Sequence, residues 1–163
     1  MQKVDSNLFE MHMSRLKNNI IKQKKFSELL KNSLDRYQNR AIEAAHVIEE
    51  LIQMAKEFKK DLDKAKKMNL NEIEVAFYDA LSDNNSAKEL MSDELLVKIA
   101  REVAEKLRKN VTVDWNVKES VRAKLRLIIK NILKRYKYPP DQQTDATELV
   151  LLQAESLAEV WEV

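Results

Sequence analysis

Glycine and cysteine are both absent from this chain of 163 residues, and proline occurs only twice. Without glycine the chain lacks the residue that most readily enters positive φ, tight hairpin turns and close backbone approaches to a ligand. That excludes a Walker A phosphate loop and a G-x-G-x-x-G dinucleotide turn, which need glycines to bring backbone N–H groups to phosphate. Without cysteine there is no disulfide, thiolate metal site or sulfur nucleophile, a composition compatible with a reducing compartment. No window approaches 18 consecutive apolar residues, and the N-terminus lacks the apolar run of a secretory signal. A soluble, cytoplasmic protein is expected.

What remains is helix-forming. Charged residues make up 34% of the chain, in near balance at a net charge of +2, and Lys, Glu, Leu and Ala abound. The expected fold is all-α: a helical bundle with one long helix (about 33–68) and a C-terminal pair of oppositely charged helices. Two helical pieces are expected before it, around 7–21 and from about 25 onward. Between them Lys22, Lys24 and Lys25 read as a solvated junction. Residues 1–24 form an N-terminal helical arm and residues 25–163 the main domain.

The long helix rests on a heptad-like seam. Leu34, Tyr37, Ala41, Ala44, Ile48, Leu51, Ala55, Phe58, Leu62 and Ala65 recur at spacings of three and four. A helix over 33–68 would extend roughly 54 Å at 1.5 Å per residue. Asn71 and Glu74 have capping-box spacing and predict a helix over 72–81. Ser82–Ser86 reads as a loop, since short polar side chains compete for backbone hydrogen bonds. A helix over 93–109 presents Leu95, Leu96, Ile99, Val103, Ala104 and Leu107 as one stripe. Residues 110–114 read as an extended connector, with Trp115 anchoring it in the core. Asn116 and Glu119 repeat the capping-box spacing and predict a helix to about Lys137. Pro139-Pro140 ends it, and a last helix follows over 141–161.

Those last two helices carry opposite charge. Residues 116–138 hold eight basic residues against Glu119 alone, a net of +7, whereas residues 139–163 hold six acids and no base, a net of −6. Val117, Val121, Leu125, Ile128, Ile132 and Tyr136 share one face of the first helix. Lys118, Arg122, Arg126, Lys130 and Lys134 sweep the neighbouring and opposite faces, with Lys124 and Arg135 flanking the core. Several cations on one rigid helix could displace counterions from a phosphate backbone. They could equally form a solvated face, or pair with acids of a docking subunit. Acids of the last helix lie opposite Ala146, Val150, Leu157 and Trp161.

Other sites are weaker. His12 and His46 lack an H-E-x-x-H pattern and read as surface or packing residues. Glu57-Phe58-Lys59 matches the E-x-K half of a nuclease signature, a chance match in a chain so rich in Glu and Lys. No catalytic, cofactor-binding or metal-binding residue is assigned.

One long segment is specific. Val113-Asp-Trp-Asn-Val-Lys-Glu-Ser-Val-Arg-Ala-Lys-Leu-Arg, continuing through Leu133 to Tyr136-Lys-Tyr-Pro-Pro-Asp141, resembles the terminal signature of type I restriction enzyme R (motor) subunits. Lys25-Phe-Ser-Glu-Leu-Leu, Arg36-Tyr-Gln-Asn-Arg, Val47-Ile-Glu-Glu-Leu-Ile52, Phe77-Tyr-Asp-Ala-Leu81 and Lys98-Ile-Ala-Arg-Glu102 fit in the same order, so residues 20–161 resemble the C-terminal helical domain. The resemblance implies a parent subunit with nuclease and helicase-like motor domains, acting as an ATP-dependent DNA translocase and type I site-specific deoxyribonuclease with ATP and Mg. It implies no cofactor in this chain, and none of the family's catalytic residues maps onto it. The expected role is a non-catalytic module that docks the R subunit onto the methyltransferase core of modification and specificity subunits. Lys118, Arg122, Arg126, Lys130 and Lys134 would add a nonspecific contact to the double-stranded DNA backbone. The alternative is a pure protein-interaction domain without DNA contact.

Overall fold

The computed structural model describes residues 19–112 and 115–157, and among them every regular element is helical. The elements are α1 (Ile20–Gln38), α2 (Ala44–Lys67), α3 (Glu72–Ser82), α4 (Asn85–Leu90), α5 (Asp93–Asn110), α6 (Glu119–Arg135) and α7 (Gln143–Ser156). Short 3-10 turns at Trp115–Val117 and Pro140–Gln142 precede α6 and α7.

Four helices make the core. Helix α3 packs on α5, α5 on α6, α6 on α7 and α7 back on α3, closing a ring. Phe77 and Leu81 of α3, Leu96, Ile99 and Leu107 of α5, Leu125 and Ile129 of α6 and Leu151 of α7 are fully buried inside it. Each such side chain contributes about 1.5–3 kcal/mol when removed from water. Trp115 is 0% exposed, as its expected anchoring role requires. Val111 is extended at φ −77 and ψ 140, and Val113 and Asp114 lie outside the described residues.

The expected long helix is two helices. The chain breaks after Gln38 and folds back, so α1 and α2 pack as an antiparallel hairpin. Arg40 takes φ 57, and the Ala41 N–H donates to the Arg36 carbonyl at 2.8 Å, closing a left-handed helix terminus. The same device ends α2 at Asn69, with Leu70 N–H on Ala65, and ends α6 at Lys137, with Tyr138 N–H on Leu133. Three helices therefore stop on a positive-φ residue in a chain that has no glycine to offer.

The lysine cluster is also not a junction. Helix α1 starts at Ile20 and runs through Lys22, Lys24 and Lys25, crossing the expected boundary between an arm and a domain. Lys22 is buried, with its Nζ 3.6 Å from Asp79 on α3 and 5.9 Å from the centre of the Phe58 ring. Residues 1–18, which include the expected helix over 7–21 up to that point and His12, lie outside the described residues.

Termini of the other helices follow local chemistry. Asn71 and Glu74 form the expected capping box at 2.8 and 3.0 Å. Ser82 belongs to α3 and Asn85 already opens α4, so the expected loop reduces to Asp83 and Asn84. The second expected box fails because Lys118, not Asn116, is the N-cap of α6 and gives no side-chain cap. Helix α6 ends at Arg135, ahead of the proline pair, and the last helix begins at Gln143. Positions after Leu157, including Trp161, lie outside the described residues.

Candidate functional site

The charged helices α6 and α7 are packed against each other, and their geometry divides the five candidate cations. Arg122 reaches Glu155 at 2.8 Å and Arg126 reaches Glu148 at 2.5 Å, so the two helices run antiparallel. Glu119 adds a third acid 4.0 Å from Arg126. Glu148 and its neighbours hold the Arg126 proton more tightly than usual. Lys118, Lys130 and Lys134 are exposed, and among the described residues none of them has an ion-pair partner.

A helical drift explains this division. Four residues advance about 400°, so each i,i+4 step moves the side chain about 40° around the axis. Arg122 and Arg126 start the row beside the buried face, within reach of α7. Two further steps carry Lys130 and Lys134 out to solvent. Arg135, on the other flank, is paired with Glu102 of α5, which Lys106 also approaches at 3.3 Å. Lys124 and Lys137 are exposed. Ala146, Val150 and Leu157 are buried as the sequence predicts, but Glu148 and Glu155 turn towards α6 rather than to open water. Two Arg–Glu pairs out of the apparent +7 and −6 are thus mutual neutralisation within one fold.

Weaker candidates stay apart. His46, Glu57 and Lys59 are exposed on α2. Among the described residues no group of three His, Asp or Glu side chains is arranged to hold a metal ion, and no helix is long and apolar enough to cross a membrane.

A second feature was hidden in the seam. Leu34, Tyr37, Ile48 and Ile52 are 42%, 48%, 57% and 49% exposed, although periodicity places the first three inside a helix interface. The hairpin enters the main core only at its root, where Ile21 is buried and Ile20, Met68 and Leu70 pack against it. Polar contacts fasten that root. Asn19 donates to Asp79 at 2.7 Å, the Ile20 N–H donates to Gln153 at 3.0 Å, and Lys64 meets Asp93 at 3.2 Å. Arg101 of α5 donates to the Met68 carbonyl at 2.6 Å, capping the end of α2.

The domain therefore has a closed core, a charged helix pair joined by two arginine–glutamate bridges and a projecting hairpin with uncovered apolar side chains. A family model described as type I restriction enzyme HindI endonuclease subunit-like, C-terminal, matches residues 6–160. The chain belongs to this family. It is 47% identical over 141 residues to the type I restriction enzyme HindI endonuclease subunit of Haemophilus influenzae, covering 86% of this chain and 13% of that protein. It is 35% identical over 122 residues to a Methanocaldococcus jannaschii protein provisionally named type I restriction enzyme MjaIXP endonuclease subunit, covering 74% and 12% respectively. The chain thus spans about one eighth of the length of these relatives. No solved structure matches it. This C-terminal domain of a type I restriction endonuclease subunit is a helical bundle, as the resemblance implied.

Proposed function

We propose that this domain is a non-catalytic assembly module, attaching an ATP-dependent DNA-translocating endonuclease subunit to a methyltransferase core of modification and specificity subunits. Family membership supports the class of complex, since the relatives are named as type I restriction endonuclease subunits. Nuclease and ATP-driven motor activities, with their ATP and Mg, would reside in parts of the subunit outside this chain, and the setting would be cytoplasmic. The observation that carries attachment is the hairpin. Fixing a residue's backbone costs about 1–2 kcal/mol, yet the outer half of α1 and α2 leaves Leu34, Tyr37, Ile48 and Ile52 about half exposed. An ordered projection with uncovered apolar side chains suits a surface that a partner covers.

A secondary contact to the DNA backbone is favoured by Lys118, Lys130 and Lys134, which are exposed and have no ion-pair partner among the described residues. They would act as phosphate-neutralising charges rather than base readers. Arg122 and Arg126 contribute less to this reading than the sequence suggests, because α7 already neutralises them. The test is to mix the domain with purified modification–specificity core in the absence of DNA and follow the complex by calorimetry. A complex is expected, and none at tens of micromolar would rule out the docking role. Separately, Lys118→Glu, Lys130→Glu and Lys134→Glu together should weaken binding of a nonspecific duplex at low salt and flatten its salt dependence. A domain that docks the core but binds no duplex is a pure protein-interaction module.

A further inference from the structure

The root of the hairpin borders a cleft of about 430 Å³ that the assembly reading does not use. Leu62 of α2, Leu70, and Ile73 and Val75 of α3 give it a half-buried apolar wall. Asn19 and Leu157 line it as well, so residues 18 and 158 are both attached at its edge. Asn19 is a fixed point. Its backbone is extended, at φ −124 and ψ 99, and its side-chain oxygen accepts the Lys22 N–H at 3.1 Å as the N-cap of α1. Its Nδ2 donates to Asp79 at 2.7 Å, and the Ile20 N–H donates to Gln153 at 3.0 Å. Helix α1 thus begins at the cleft, and the chain ahead of it is anchored there.

Attachment and apolar content select the occupant. A segment joined directly to a lining residue meets the cleft at an effective concentration of about millimolar, an advantage that a second copy or a separate helix lacks. Leu16 stands three residues ahead of Asn19, at most about 11 Å of chain. Residues 6–18 also carry side chains that suit an apolar wall, and Phe9, Met13 and Leu16 recur at spacings of four and three. The other attached candidate follows Leu157. The region shared with the family runs from residue 6 to residue 160, so it includes all of 6–18 but only three residues after Leu157. Of those three, Val160 is the one bulky apolar residue. Charge does not choose between the two, because Lys66 and Glu72 of the lining have opposite signs. We infer that residues 6–18 fold back onto this cleft, set Met13 and Leu16 against Leu62 and Ile73, and strap the hairpin root to α3. The inference goes beyond the assembly reading and does not depend on it.

The chain has no cysteine, so a single introduced thiol reports on one position alone. In the full chain, Leu16→Cys should react with a thiol reagent roughly 10-fold or more slowly than Leu90→Cys, whose position is 75% exposed. Adding Leu62→Glu on the cleft wall should return Leu16→Cys to the fast rate, with helicity by circular dichroism unchanged. On mild oxidation Leu16→Cys with Ile73→Cys should form a disulfide within one chain. Should Leu62→Glu unfold the domain, the absence of that bond overturns the inference. Fast labelling of Leu16→Cys overturns it, and so does slow labelling that persists when Leu62→Glu is added to a folded domain. A disulfide between two chains would give the cleft to the segment of a second copy. Slow labelling of Val160→Cys, relieved by Leu62→Glu, beside fast labelling of Leu16→Cys would give it to the residues after Leu157. Either of these last results overturns the inference as well.

Discussion

Lys22 and Asp79 show how a charged residue is kept inside a small helical core. Burial pushes the Asp79 carboxyl above its ordinary 3.8, while Lys22 and the Asn19 amide pull it back. A carboxyl raised in the folded state binds its proton more tightly there than in the unfolded chain. Its contribution to stability therefore declines as pH rises from 3.8 through the raised value. Asp79→Ala should cost about 3 kcal/mol by stranding a buried ammonium, and Lys22→Met with Asp79→Leu should recover most of it; urea titration measures both. Tyr138 is the second such residue, buried with its hydroxyl donating to the Leu81 carbonyl at 2.6 Å. Its pKa is pushed up to about 12, first by burial and then by Asp83. Between pH 10 and 12 the unfolded chain loses this proton while the folded one keeps it, so stability falls. Tyr138→Phe should cost about 1 kcal/mol at neutral pH and remove that alkaline slope, as thermal melts across the range would show.

Pairing between elements decides what the charges on α6 are worth. In a double-mutant cycle Arg122 and Glu155 should couple by roughly 0.5–1 kcal/mol, a modest value because both are partly solvated. Lys130→Glu should change stability by less than about 0.5 kcal/mol, and denaturant midpoints separate the two outcomes. The sequence displays the +7 and −6 plainly, but which arginines are spent in pairs depends on the antiparallel packing of α6 and α7. Helix α3 was legible because a short-range hydrogen bond at Asn71 sets its start, and α5 because its apolar stripe faces the core. The break between α1 and α2 was not. The three-and-four spacing continues across Asn39–Glu43, and neither glycine nor proline marks the turn. Lys22 misled because its partner lies on α3, beyond any local pattern. Leu34 and Ile48 misled in the opposite way, since periodicity reports a shared face without reporting whether anything covers it.

At the scale of the molecule, core and hairpin should behave as two cooperative units. Amides of α3, α5 and α7, inside the ring, should exchange slowest, through global unfolding. The outer half of the hairpin should open at a lower free energy, because only its root joins the core. Native-state hydrogen exchange would resolve the two tiers, and uniform protection would contradict them. The same architecture holds an unused margin of heat resistance. Arg40 and Lys137 carry Cβ atoms in backbone wells that disfavour them, and Asn69 tolerates its own better. Arg40→Gly and Lys137→Gly should each raise stability by about 0.5–1 kcal/mol, visible as a higher melting temperature. Neither position is one of the exposed apolar residues of the hairpin, so a more thermostable domain could be prepared without changing the face proposed to meet a partner.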